Sequence, residues 1–164
     1  MRPYAVVVLS LAAASLGACG YTAGSLVPDR YHTIAVPIFG NDTRRHDLEF
    51  EITRAVVEEM QGRTNLRVVT EADDPDLVLK GVLVDVAEEA LSRAERQRTR
   101  EGAYFLTAQV DVTDRRGGTM IVKDRKVFER ESYVPLVGED VRTSRAAAVR
   151  SLAERIVRTL ETAW

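Results

Sequence analysis

Few side chains in this sequence could carry covalent or metal chemistry, and their types and spacing narrow the possibilities. Cys19 is the only cysteine, and the two histidines are His32 and His46. Neither histidine has a cysteine or carboxylate at the spacing of a zinc site. Asp73, Asp74 and Asp76 could be imagined around a cation, but Pro75 interrupts them and no bidentate glutamate follows at loop spacing, so the cluster reads as a turn. There is no Gly-rich phosphate loop and no nucleophile elbow. The expectation is a protein without a catalytic site, metal or cofactor. What remains is arginine chemistry. Arg93, Arg96, Arg98 and Arg100 crowd one connection between strands, and Arg115 and Arg116 occupy the next turn. A guanidinium is a planar fork suited to phosphate and carboxylate. Glu95 and Glu101 interrupt the run, so a solvated hairpin tip is the alternative reading.

The thiol of Cys19 has a distinctive setting. Arg2 is the only charge in residues 1–18, and Tyr4 to Leu16 is an apolar run rich in Val, Leu and Ala, closed by small residues. That is the build of a secretory signal peptide. At roughly 13 residues the run falls short of the ~18 needed to span a bilayer. Leu16-Gly17-Ala18-Cys19 resembles the lipobox of bacterial lipoproteins. The resemblance implies diacylglycerol on the Cys19 thiol, cleavage before it and acylation of the new N-terminus. Two or three acyl chains suffice for stable anchoring, leaving a domain tethered to a membrane. Gly20 follows the cysteine, where an aspartate acts as an inner-membrane retention signal in some bacteria, so the outer membrane is favoured. Residues 1–18 are thus expected to be a cleaved signal, 19–31 an acylated tether containing Gly20, Gly24 and Pro28, and 32–164 one domain.

Charge excludes other classes. The whole chain has 23 Lys and Arg against 25 Asp and Glu, and loss of Arg2 leaves 22 against 25. Neither sign dominates, so a nucleic-acid partner is not expected. The remaining length can bury about two-thirds of its surface around one core without disulfides.

The pattern of apolar residues supplies the elements. Thr33 to Phe39 is apolar on both faces and reads as a covered strand, with Pro37 confining it to an edge or to one-sided pairing there. Asp47 is the expected N-cap of a helix to about Gln61, with Gly62 just beyond its end. Leu48, Ile52, Val56 and Met60 form one stripe of that helix, while Phe50 and Val57 widen the arc enough to require a second covering surface, from a sibling helix or a partner protein. Leu66 to Thr70 is a short strand. Leu77 to Ala87 is a longer one, with Val78, Val82, Val84 and Val86 on one face and Leu77, Leu79 and Leu83 on the other. If the helices cover the valine face, the leucine face becomes an exposed partner surface; the alternative is that other segments fold over it. Tyr104 to Thr113 alternates cleanly and should have one wet face. Arg115 to Gly118 turns the chain into Met120 to Tyr133, whose charged middle, Lys123 to Lys126, predicts a bulged edge strand. A final helix, capped by Thr143 or Ser144, presents Val149, Leu152, Ala153, Ile156, Val157, Leu160, Ala163 and Trp164 on one arc. The expected fold is α+β: two helices packed on one face of a mixed four- to five-stranded sheet, in the order strand-helix-strand-strand-strand-strand-helix.

That order resembles the LptE family of outer-membrane lipopolysaccharide-assembly lipoproteins. The residues that carry the resemblance are Cys19-Gly20-Tyr21, Thr33 to Phe39 with Asn41 and Thr43, Leu48-Glu49, Asp76 to Gly81, Glu131-Ser132-Tyr133 and Ala153 to Val157. It implies two helices against a mixed sheet, and a non-enzymatic lipoprotein that helps assemble, and plugs, the large barrel of the lipopolysaccharide translocon. In that setting Arg93, Arg96, Arg98 and Arg100 become candidates for contact with lipopolysaccharide, and Leu77, Leu79, Leu83, Phe50 and Val57 for contact with the barrel. The stretch from Ile34 to Thr43 also looks like the first strand of curli-secretion and Tol-type domains. An oligomeric envelope lipoprotein is therefore the alternative function.

Overall fold

The computed structural model describes residues 27–90, 102–133 and 141–164. The elements in chain order are β1 (Thr33–Ala35), β2 (Gly40–Asn41), α1 (Leu48–Arg63), β3 (Arg67–Val69), a 3-10 turn (Glu71–Asp73), β4 (Leu77–Ala90), β5 (Gly102–Asp114), β6 (Thr119–Tyr133) and α2 (Val141–Glu161). The sheet runs β3-β1-β4-β5-β6, with the two-residue β2 also paired to β4. β1 is parallel to β3 and β4, whereas β4, β5 and β6 form an antiparallel meander. This is the expected open, mixed α+β sheet with two helices.

The first strand is divided where the sequence contains proline. β1 pairs with β4 at Leu77 and Val78, and β2 pairs with the same strand at Val82 and Leu83. Pro37 lies in the gap between them, where a residue without an N–H breaks the ladder. β1 itself has neighbours on both sides, so it is interior and only the proline segment is unpaired. Phe39 closes the gap: its N–H donates to Thr53 Oγ1 of α1 at 3.0 Å. Its ring lies over Gly81, where a Cβ would come within 2.1 Å of the ring. Only glycine admits so close an approach.

Both helices differ from expectation at their ends. Asp47 occupies the N-cap of α1 in a left-handed conformation, φ 73°, and its side chain makes no capping bond. The helix continues through Gly62 to Arg63 and is closed by Thr64, whose N–H and hydroxyl both donate to the Met60 carbonyl. α2 begins at Val141, so Thr143 and Ser144 lie within its first turn instead of preceding it. The two helices run parallel: Glu51 pairs with Arg145 near their N-termini, and Arg63 with Glu161 at 3.0 Å near their C-termini.

Packing selects one face of the sheet. Leu48, Ile52, Val56 and Met60 of α1, with Leu152, Ile156, Val157 and Leu160 of α2, are buried against Leu77, Leu79, Leu83, Leu106, Ala108, Val110 and Val112. A register shift between Leu83 and Asp85 turns Val86 toward this covered side, opposite Leu106. β6 is the irregular edge strand its charges foretold. Its pairing to β5 shifts twice near Val110 to Thr113, and Asp124 is left-handed with φ 50°. Among the described residues, no helix covers the reverse face.

Candidate functional site

Several of the expected site residues, Cys19 and Arg93, Arg96, Arg98 and Arg100, lie outside the described residues, as does most of the tether. The leucine surface is corrected by the structure. Leu77, Leu79 and Leu83 are at most 1% exposed and lie beneath the helices, so they belong to the core and present nothing to a partner. The reason is register: Leu79 stands opposite Val112 and Leu83 opposite Ala108, which places them on the helix-covered face. It is the valine face, Val78, Val82 and Val84, that turns away.

Phe50 has the exposure a contact surface requires, at 56%, and Val57 is half-buried. Phe50 lines a groove of about 750 Å³ along the outer side of the helix pair, floored by Ala55, Ala146 and Val149. Its rim is charged with both signs. Arg54 pairs with Glu58 at 3.1 Å, Glu51 pairs with Arg145, and Arg150 stands beside them. Such a groove can accept an apolar side chain between polar walls; it holds no nucleophile. Val57 does not line it.

A second concentration of polar groups fastens the end where the described chain begins. Asp76 is 1% exposed. Its Oδ2 accepts the backbone N–H groups of His32 at 2.8 Å and Thr33 at 3.0 Å, and its own N–H donates to Thr33 Oγ1. Oδ1 faces the Arg116 guanidinium at 2.6 Å, a charge contact whose angle lies outside hydrogen-bonding geometry. Burial pushes the carboxyl pKa up, but the two amides, the Thr33 hydroxyl and the Arg116 charge together outweigh it and hold the group below the usual carboxylate range. Beside it, Tyr31 donates its hydroxyl to Asp114 Oδ2 at 2.9 Å. The Gly117 amide above all, and Tyr31 with it, keep the Asp114 pKa low despite burial.

Basic side chains converge a third time where β6 meets α2. Arg125, Lys126, Arg155 and Arg158 line a groove of about 630 Å³ with Glu129 and Glu154, and Arg155 pairs with Glu129. On the open face, Phe105 and Phe128 stack with centroids 6.1 Å apart, and the Arg130 guanidinium lies 5.8 Å from the Phe105 ring.

Comparison with known proteins gives this arrangement a family. The family model described as LptE, lipopolysaccharide-assembly, matches residues 31–163. The chain belongs to the LptE family. Among solved structures, the LptE-family chain is similar to the uncharacterized lipoprotein B from Nitrosomonas europaea, with 11% identity, 84% of this chain and 86% of that chain covered, and a TM-score of 0.59. It is also similar to a PelC dodecamer from Paraburkholderia phytofirmans, with 14% identity, coverage of 82% and 92%, and a TM-score of 0.50. The rare lipoprotein B from Shewanella oneidensis aligns with 19% identity, coverage of 79% and 93%, and a TM-score of 0.49. At these identities the first two likenesses concern the fold alone. No curated protein sequence matches the chain.

The LptE family is a family of non-enzymatic lipoproteins. His32 and His46 are both exposed, and no group of three metal-ligating side chains occurs among the described residues. No helix among them is long and apolar enough to cross a membrane. Sequence reasoning missed two features. One is the Asp76 fastening, whose only signal was an aspartate directly before an apolar strand. The other is the β6 and α2 groove, whose basic residues are separated in sequence.

Proposed function

We propose that this LptE-family chain is the lipoprotein subunit of the outer-membrane lipopolysaccharide translocon. In this reading Cys19 becomes the acylated first residue of the mature chain, held at the periplasmic face of the outer membrane. The folded domain assists assembly of a large barrel partner and occupies its lumen. The observation that carries the reading is the family match over residues 31–163, which takes in nearly the whole domain that follows the lipobox-like tetrapeptide. The Phe50 groove is the described surface best suited to the barrel wall, because it offers an exposed ring over an apolar floor. Arg93, Arg96, Arg98 and Arg100 are proposed to meet the phosphates and carboxylates of lipopolysaccharide.

The test is affinity purification of the tagged, membrane-extracted protein, with intact-mass analysis of the bait and identification of its stoichiometric partners. A lipid-modified bait starting at Cys19 and accompanied by one large barrel supports the proposal. A lipidated bait that returns only copies of itself replaces it with an oligomeric envelope lipoprotein. For the arginine loop, the double substitution Arg96→Glu with Arg98→Glu is expected to weaken lipopolysaccharide binding and leave the thermal transition unchanged; unchanged binding assigns the loop to solvent.

A further inference from the structure

The end of the domain at which Val27 enters has an unusual surface. Trp164, the only tryptophan in the sequence, is 38% exposed just past the last turn of α2. Its ring lies 5.0 Å from that of Tyr31, centroid to centroid. The Arg30 guanidinium is 4.7 Å from the Tyr31 centroid and 5.9 Å from that of Trp164. Tyr31 is anchored through its hydroxyl to Asp114, the residue that opens the β5 to β6 turn. Next in that turn is Arg115, whose backbone N–H donates to the Asp76 carbonyl and whose exposed side chain has no ion-pair partner among the described residues. A ring that is neither buried nor isolated, with one guanidinium above it and another on the adjoining turn, therefore marks this end.

The path of the chain says what faces it. Cys19 is eight residues before Val27, so the thiol lies at most about 28 Å from this end. The other end of the hairpin is farther off by the length of β4, 14 residues or about 45 Å. Tryptophan and tyrosine settle where acyl chains give way to headgroups, and arginine binds the headgroup phosphate while its stem lies along apolar surface. A short tether keeps the local concentration of such a surface in the millimolar range, so weak contacts are enough.

We infer that Trp164, Arg30 and Arg115 rest on the phospholipid headgroup layer of the membrane that carries Cys19. This rests on the acylated-lipoprotein reading above. Acidic groups at this end are largely occupied: Asp114 by the Tyr31 hydroxyl and the Gly117 amide, and Asp76 in the buried network, while Asp29 is exposed. The charges nearly balance, so zwitterionic phospholipid suffices and anionic lipid is not required.

Because Trp164 is the sole tryptophan, its fluorescence reports on this end alone. Full-length acylated protein is incorporated into phosphatidylcholine vesicles brominated either near the carbonyl end of the acyl chain or near the terminal methyl. Shallow bromine is expected to quench Trp164 at least twofold more than deep bromine. Protein that floats with the vesicles while Trp164 is quenched by neither lipid overturns the inference and leaves the anchor reading intact. Protein that fails to float overturns both. The substitution Arg30→Glu with Arg115→Glu is expected to at least halve the shallow quenching without changing flotation or the thermal transition; undiminished quenching removes the guanidiniums from the contact.

Discussion

Beneath the helices, Leu79, Leu83, Leu106, Ala108 and Val112 are at most 1% exposed; on the reverse side of the same sheet, Val82, Val84 and Phe105 are half-buried and Phe128 of β6 is 51% exposed. The two faces draw on similar residue types. What separates them is which face receives the two helices, and that choice is made by pairing register and by residues that allow close approach. Gly81 is one of these, because Phe39 occupies the space its side chain would need. The comparison teaches that an apolar residue in this sheet gains stability from what covers it, and that the same residue type on the open face gains less.

The sharpest way to break the comparison is to truncate one residue on each face. Leu79→Ala is expected to cost about 3 kcal/mol in urea unfolding, because it empties a site in a closed core. Phe128→Ala should cost under about 1 kcal/mol, since half its ring already meets water. Equal costs would mean that the open face is part of the core after all.

Two glycines sharpen the contrast between covered and open positions. Gly81→Ala drives a Cβ into the Phe39 ring and should cost about 2 kcal/mol, with partial recovery when Phe39 is replaced by leucine. Gly62 lies on the exposed side of α1 with nothing within 4 Å of an added Cβ, so Gly62→Ala should raise stability by up to about 1 kcal/mol. Thermal melts of the three variants check both statements.

Asp76 tests the fastened end of the covered face. Its pKa is lowered in the folded state, so its contribution is fully present above the unfolded value of about 4 and is lost as pH falls through the folded value. Stability measured from pH 6 down to pH 2 should therefore fall less steeply in Asp76→Asn than in the parent, and the variant should be less stable at neutral pH by about 2 kcal/mol. An unchanged acid slope would remove Asp76 from the account. The smallest effect belongs to the exposed Arg54 and Glu58 pair, whose double-mutant coupling should be below about 0.5 kcal/mol.

Some of this architecture was legible in the chain. The stripe of α2 and the alternation of β5 are regular enough to identify without tertiary information, and the charged middle of β6 announced its irregular edge. Alternation in β4 separated Leu77, Leu79 and Leu83 from Val78, Val82 and Val84, yet it misplaced Val86, which the register shift after Leu83 turns to the covered side, and could not say which set the helices would cover. That depends on how α1 and α2 return across the sheet. Helix ends were harder still: Thr143 and Ser144 are good capping residues, but the helix continues past them to Val141. Asp76 illustrates a different limit. Its partners are 43 and 44 residues earlier at Thr33 and His32, and its countercharge is on a turn much later in the chain. No local pattern encodes such a meeting. The arginine connection was equally visible in sequence, and its residues lie outside those described.

The Asp76 fastening also bears on the order in which the domain can assemble. β1 is among the first elements of the domain to emerge during synthesis or passage across a membrane, yet its place between β3 and β4 is secured by a residue that follows both helix α1 and strand β3. Arg116, the countercharge, emerges later again. A chain delivered from its N-terminus must therefore hold Thr33 to Ala35 without their parallel partners until Arg67 to Val78 have followed, and a fragment ending before Asp114 lacks both the Arg116 countercharge and the carboxylate that anchors Tyr31.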